Sequence, residues 1–294
     1  MRGPVRRVLT TGCALGEGPL WDAARACLWF VDIKQQSLWR YDPARHDCQP
    51  FAAPGQIGWV LPATGDQLLA GLQDGLWRFD VAYARWHKLS HIPGEQATNR
   101  LNDACVDAAG GAWFGSMDDG EAAASGRFYR YFRGEVAPVG PDGICITNGP
   151  AINAAGTRVY FTDTLARRIL QADIGADGAV SPATLFADTA RDFPDAYPDG
   201  PVCDAEGCVW TGLWNGWGVA RYAPDGRLLG KVALPVANVT KMAFGGPDLR
   251  TAFVTTARKG LSDEELLRQP LAGDLFSFDA EVAGVARPLV ELSV

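Results

Sequence analysis

The chain has 294 residues, 47% of them hydrophobic and 21% charged, and its 34 acidic against 27 basic side chains give a formal net charge of −7. That balance argues against a nucleic-acid partner, since phosphate binding needs clustered Lys and Arg, and the apolar fraction argues against a disordered chain. Ten Trp, 34 Gly and 19 Pro beside only three Met predict many short strands joined by turns, not long helices.

The first residues, MRGPVRRVLTTG, carry positive charge with no apolar stretch behind it, so no secretory leader is expected. Apolar runs such as 28–31 and 59–61 fall far below the ~18 residues a membrane span needs. Seven cysteines without a C-x-x-C pair read as reduced thiols. A cytoplasmic protein with no membrane partner is the expectation, and a monomer is compatible with it.

One unit then recurs along the chain. It appears at residues 16–32 (GEGPLWDAARACLWFVD), 101–118, 147–163, 198–213 and 240–257, with a weaker copy at 57–72. Each copy opens on a polar or glycine-rich group, continues as a short apolar strand, turns at a D-A-x-G-like or G-P-D-L sequence, and returns as a second strand such as LWFVD or VYFTD. Most copies are followed by a third strand pattern, among them SLWRYD, GLWRFD, RFYRYF and LFSFD. A period of roughly 40–50 residues with three or four strands per unit is that of a propeller blade. Six copies predict an all-β, six-bladed β-propeller forming one domain over residues 1–294. The N-terminal VRRVLT and the C-terminal RPLVEL are expected to share a blade and close the ring. The one clear helix candidate is SDEELLRQ from Ser262, with Ser262 as N-cap and Glu265 completing a capping box.

Equivalent positions of such a repeat form a ring around the central channel. Counting back about a dozen residues from each second strand reaches Glu17, Asn102, Asn148, Asp199 and Lys241, and Ile57 or Gly58 in the weak copy. Glu17, Asn148 and Asp199 form a hard oxygen set without His or Cys, suited to Ca²⁺, Mg²⁺ or Mn²⁺ rather than zinc. Alternatively, all of these are polar residues ending the inner strands; their recurrence across copies favours the metal reading. Lys241 would be a substrate ligand or a counter-charge to Glu17 and Asp199. Other patterns carry less. His87 and His91 lie in strand-and-loop sequence, no G-x-S-x-G elbow occurs, and Gly16–Gly18 lacks the third glycine of a dinucleotide site. DIGADG at 173–178 reads as a turn, and Trp214 and Trp217 are candidates for pocket walls.

The chain resembles the senescence marker protein, regucalcin and gluconolactonase family of six-bladed propellers. The matching motifs are L-G-E-G-P-x-W at 15–21, R-x-N-D at 100–103, G-S-M at 115–117, T-N-G-P at 147–150 and Y-P-D-G at 197–200, with FGGPDL and TTAR further on. The resemblance spans essentially the whole chain and is strongest toward the bacterial aldonolactonase branch. It implies a divalent metal held by Glu17, Asn148 and Asp199, with Ca²⁺, Mg²⁺, Mn²⁺, Zn²⁺ or Fe(II) as candidates, and substrate contacts from Arg100 and Asn102. The acidic residue that the family places three positions after the Met of its G-T-M motif falls here on Gly120, flanked by Asp118, Asp119 and Glu121. Asp119 and Glu121 are therefore the substrate-contact candidates.

The expected activity is metal-dependent hydrolysis of a sugar (aldono) lactone, a pentonolactone or hexonolactone, with Asp199 as general base. The competing readings are a metal-binding propeller without catalysis and a promiscuous esterase or organophosphate hydrolase.

Overall fold

The computed structural model describes residues 4–292. The chain opens with β1 (Arg6–Leu9), followed by β2 (Gly16–Asp22), β3 (Cys27–Asp32), β4 (Ser37–Asp42) and β5 (Asp47–Ala52). Next come β6 (Ile57–Ala63), β7 (Gln67–Leu72), β8 (Gly75–Asp80) and β9 (Arg85–Ser90). β10 (Asn99–Val106), β11 (Ala112–Asp118), β12 (Gly126–Phe132) and β13 (Glu135–Ile144) make the following unit. β14 (Thr147–Ile152), β15 (Arg158–Asp163), β16 (Arg168–Asp173) and β17 (Thr184–Asp188) lead into a single turn of helix, α1 (Thr189–Asp192). β18 (Tyr197–Cys203), β19 (Val209–Trp214), β20 (Gly218–Tyr222) and β21 (Leu228–Ala233) follow. β22 (Val239–Gly245) and β23 (Thr251–Thr256) precede α2 (Asp263–Arg268) and β24 (Leu275–Asp279). Helix α2 carries the expected capping box between Ser262 and Glu265. Among the described residues no helix is long and apolar enough to cross a membrane.

The architecture is an all-β propeller, but the expectation of six separate blades is corrected. The strands form five sheets: four of four strands and one of eight, ordered β1-β24-β23-β22-β18-β19-β20-β21. The eight-stranded sheet arises because β18 and β22 meet in a parallel pair at Gly200 and Lys241. Gly200 permits this approach; a Cβ there would stand 2.7 Å from the Lys241 stem. Hydrogen bonding thus continues across what the repeat pattern marks as a blade boundary.

Ring closure is also only half as expected. β1 pairs antiparallel with β24, from Arg6↔Ser277 to Leu9↔Leu275, so the N-terminal strand completes the last sheet and protects its edge. The C-terminal RPLVEL does not join it. Val290 instead bridges to Ala63 on β6, where its fully buried side chain packs with Trp59, Leu61 and Val106. An apolar pocket beside β6 captures this segment, because the edge of β24 is already filled by β1.

Aromatic side chains bind the sheets together, as their abundance predicts. Trp29 and Phe51 pack on Phe79, Trp59 on Phe114, Phe128 on Phe161, and Trp21 stacks on Phe253 at a ring-centroid distance of 6.0 Å. Burying each such ring stabilises the fold by about 1.5–3 kcal/mol.

The turns that end the inner strands share one device. Asp204 is fully buried and accepts hydrogen bonds from the Glu206 and Cys208 amides and from the Trp210 indole, at 2.9–3.0 Å, while pairing with Arg221 at 2.7 Å. Asp107 repeats this with the Ala109 and Gly111 amides, Trp113 and Arg130. Asp22 does so with the Arg25 amide, Trp29 and Arg25. One carboxylate therefore fixes the turn, the next strand and a cation together. Replacing Asp204 with Ala strips a partner from two amides and an indole and leaves the half-buried Arg221 guanidinium with Glu206 alone. We expect it to destabilise the protein by about 3–5 kcal/mol in urea unfolding, whereas Asp225→Ala, at an exposed turn where that carboxylate accepts the Arg227 amide and stands 4.0 Å from the Arg227 Nε, is expected to cost less than about 1 kcal/mol.

Candidate active site

Each inner strand is bulged where it enters the channel. The register of β2 with β3 shifts between Glu17 and Leu20, that of β10 with β11 between Leu101 and Ala104, and that of β14 with β15 between Asn148 and Ala151. β18 and β22 shift likewise, between Pro198 and Pro201 and between Val239 and Met242. A bulge adds a residue without a ladder partner and re-aims its side chain. Asn102, Asp199 and Lys241 lie within these irregular stretches, while Glu17 and Asn148 are the last paired residues before them. The weak copy contributes no polar group there: a Cβ on Gly58 would stand 2.3 Å from the Leu101 carbonyl oxygen, so this position is filled by backbone.

Glu17, Asn102, Asn148, Asp199 and Lys241 are all buried. Asn102 donates through Nδ2 to the Thr147 carbonyl at 2.6 Å and to Asn148 Oδ1 at 3.1 Å, and its Oδ1 accepts from Arg100 Nη1 at 2.5 Å. The Asn148 amide is oriented from its other side. Thr164 Oγ1 gives its proton to the Pro198 carbonyl at 2.9 Å, so it accepts from Asn148 Nδ2 at 3.0 Å and leaves Asn148 Oδ1 on the Asn102 side. Glu17 Oε2 accepts from the Gly18 amide at 3.0 Å. The Oδ1 of Asp199 is buried and has no hydrogen-bond partner among the described residues.

A further acid, Asp103, is central and was quoted in the R-x-N-D motif without being given a role. Its Oδ1 accepts from the Ala104 amide at 2.7 Å and from Lys241 Nζ, and its Oδ2 accepts from the Gly149 amide at 2.8 Å. Lys241 Nζ also reaches the Ala104 carbonyl at 3.3 Å. The Lys241 ammonium is therefore the direct counter-charge of Asp103 and acts on the neighbouring Glu17 from there. The signal was the acid directly after Asn102, which a bulge turns into the channel beside its neighbour.

The charged rim divides the two carboxylates left open by the sequence. Asp119 accepts from Arg100 Nε at 2.9 Å, Lys34 Nζ at 2.7 Å and Gln56 Nε2 at 2.9 Å. These contacts hold its carboxyl below the usual range against the opposing effect of partial burial. Glu121 instead pairs with Lys259, which follows β23. Asp118 accepts the Ala122 and Ala123 amides at 3.0 Å and shapes that loop. Lys34, Gln56 and Thr164 have no motif around them and were not found by sequence reasoning, and Lys259, directly after T-T-A-R, was given no role there. Of the two tryptophans, Trp214 packs against the cluster around Trp29, while Trp217 is exposed on the surface.

Electrostatics mark the pair of acids. Burial, then the neighbouring Asp103, pushes the Glu17 carboxyl up to about 7 from an ordinary 4.5. Burial and then Glu17 push Asp199 well above its ordinary value. Two desolvated carboxylates in each other's field, one with an orphaned oxygen, are an arrangement that a cation relieves. With the Asn148 amide oxygen they make an all-oxygen donor set that fits a hard divalent ion.

Residues 15–258 match the model of the SMP-30/Gluconolactonase/LRE-like region. The chain belongs to this family. It is 34% identical over 291 residues to the L-arabinolactonase of Azospirillum brasilense, covering 97% of this chain and 94% of that one. Identity to the 6-deoxy-6-sulfogluconolactonase of Pseudomonas putida is 29% over 289 residues, covering 98% and 99%. The crystal structure of a calcium-binding protein, regucalcin, from Agrobacterium tumefaciens superposes with a TM-score of 0.93 at 29% identity, covering 98% of this chain and 97% of that one.

The raised Glu17 value carries a consequence for stability. The folded chain binds this proton more tightly than the unfolded chain, so the protonated site is favoured at low pH and the advantage is lost as pH rises from about 4.5 through about 7. In the presence of chelator, the thermal midpoint is expected to fall across that interval, and added divalent cation is expected to flatten the fall. Glu17→Gln should remove this component of the slope; an unchanged slope in that variant would assign it to other groups.

Proposed function

We propose that the chain hydrolyses a sugar lactone to its aldonic acid, with a divalent cation held by Glu17, Asn148 and Asp199. The observation that carries this reading is the juxtaposition of two buried carboxylates, one with a partnerless oxygen, and a buried Arg100–Asn102 pair. A purely structural cation site needs no such neighbouring pair, and the polar rim suits a polyhydroxylated substrate better than an apolar ester. The names of the relatives, lactonases acting on an arabinose-derived and a sulfogluconate-derived lactone, support the same reaction.

When bound, the cation supplies positive charge where the lactone carbonyl oxygen becomes negative. The chain's own residues do the rest. Asp199 takes a proton from water as that water's oxygen bonds to the carbonyl carbon. The ring C–O bond then breaks, and the departing ring oxygen takes up a proton to become a hydroxyl. The new carboxylic acid ionises at neutral pH, so each turnover releases one proton. Asn102, locked by Arg100 and the Thr147 carbonyl, fixes the Asn148 amide. Arg100 Nε and Nη1 are engaged by Asp119, Asn102 and the Leu101 carbonyl, which leaves Nη2 for a sugar hydroxyl. Asp119 would accept from another hydroxyl, and Glu121 would meet substrate only after parting from Lys259. Lys241 would contribute indirectly, by neutralising Asp103 below the site.

Proton release in a pH-stat over a panel of pentono- and hexonolactones tests the reading. Turnover is expected for at least one lactone, lost with chelator and restored by a divalent cation; no cation-dependent turnover of any lactone would refute it. Asp199→Asn should lower kcat by about 10²–10⁴-fold. Arg100→Ala should act mainly on KM, raising it about tenfold for one lost charge-assisted hydrogen bond, and an unchanged KM would remove Arg100 from the substrate contacts.

A further inference from the structure

The channel has a second end. Beyond the Lys241–Asp103 pair lies a cavity of about 1010 Å³, lined by the far halves of the inner strands, including Trp21, Val106, Ile152, Val202, Met242 and Phe244. This is at the upper end of the volumes that enclose drug-sized organic molecules. Its walls carry little charge. Lys241 lends its stem to the wall while its ammonium is held by Asp103. Asp22 is neutralised by Arg25 at 2.6 Å and bonded to the Trp29 indole. The thiols of Cys105 and Cys203 stay protonated, because burial pushes Cys105 up to about 12 and raises Cys203 as well.

The C-terminal segment runs across this mouth. Gly284 N–H donates to the Leu249 carbonyl at 2.8 Å, and Val290 exchanges hydrogen bonds with Pro62 and Thr64 at 2.9 and 3.0 Å. Between these anchors, residues 285–289 line the cavity. Arg287 reaches inward from this strap. Its guanidinium donates to the Ile152 carbonyl and, at 3.4 Å, to the Asn153 carbonyl. Those carbonyls hold it in place but carry no charge, and among the described residues Arg287 has no carboxylate partner. It is half-buried, with Ala286, Pro288 and Leu289 exposed beside it. A fixed cation at the rim of an apolar cavity is complementary to an amphiphile: apolar body inside, anionic head at the solvent edge.

We propose that this rear chamber binds a molecule with an apolar body and a single carboxylate, the carboxylate pairing with Arg287. The inference does not rest on the lactonase reading, and its test involves no lactone turnover.

Decanoate, 1-decanol and decylamine, titrated calorimetrically into the full chain below their micelle concentrations, form one set of probes differing in head-group charge. The expected affinity order is decanoate, then decanol, then decylamine, with decanoate binding one to one. Arg287→Gln should weaken decanoate at least about tenfold, the loss of one charge-assisted contact, and leave decanol unchanged. Arg287→Glu should reverse the preference in favour of decylamine. Asp199→Asn, at the opposite mouth, should leave decanoate affinity within about twofold, as expected for independent sites. A different affinity order in the unaltered chain, an equal loss of decanoate and decanol in Arg287→Gln, or loss of decanoate binding in Asp199→Asn would each overturn the proposal. The first of these comparisons needs no variant.

Discussion

Charge inside the channel is the constraint around which this molecule is organised. Glu17, Asp103 and Asp199 are buried within one another's fields, and the cations that act on them there, Lys241 and Arg100, are buried as well. Asp103 is the one acid of the three with a complete set of partners: two backbone amides and the Lys241 ammonium. Breaking a buried pair by removing one partner costs about 3–5 kcal/mol, so this contact holds β10, the β14 bulge and β22 in fixed relation. Among the described residues Glu17 and Asp199 have no ion-pair partner in contact, though Lys241 and Arg100 act on Glu17 from nearby. What distinguishes the candidate site from the neighbouring Asp103–Lys241 salt bridge is this incompleteness, the feature on which the proposed cation site rests.

The geometry that gathers these groups comes from the backbone more than from the side chains. A strand in a regular ladder sends successive residues to opposite faces, and neither face of a packed blade looks down the channel. The bulges that follow Glu17 and Asn148 and those that contain Asn102–Asp103, Asp199 and Lys241 break that alternation in each of these inner strands. Glycine follows three of these residues. Gly18 and Gly149 have φ of +52° and +82°, values at which a side chain is strained, and Gly200 lies against Lys241 where no Cβ fits. The E-G-P, N-G-P and D-G-P triplets are thus the sequence form of a backbone instruction.

This explains how much could be read before the structure was known. The strand pairs around each turn were legible because their alternation and their D-A-x-G turns repeat, and the ring of Glu17, Asn102, Asn148, Asp199 and Lys241 was legible because repetition puts equivalent positions in equivalent places. Relations between units were not. Whether β18 and β22 fuse their sheets depends on a close approach at Gly200, and a glycine in sequence does not announce which neighbour it admits. The segment RPLVEL has the composition of an edge strand, yet the β24 edge was already taken by β1, and the apolar surface around Trp59 and Val106 received Val290 instead. Asp103 was overlooked for a related reason: in a strict alternation it would face away from Asn102, and only the bulge puts both beside the channel.

The two ends of the channel then acquire different chemistry from the same strands. At the bulged ends the inner strands present Glu17, Asn102, Asn148 and Asp199; a few residues later they present Trp21, Val106, Ile152 and Val202. Lys241 sits at the change of character, its ammonium committed to the polar side and its methylenes to the apolar wall. Such a divider suits a hydrolytic site, because a buried pair of acids keeps its electrostatic leverage only where the surroundings are not opened to bulk water from behind. The apolar half of the channel can therefore vary in shape and ligand without disturbing the front, provided the Asp103–Lys241 pair remains. In this chain the variation takes the form of a C-terminal strap that places Arg287, a cation with no carboxylate partner among the described residues, at the rear mouth, opposite the end where the acids are gathered.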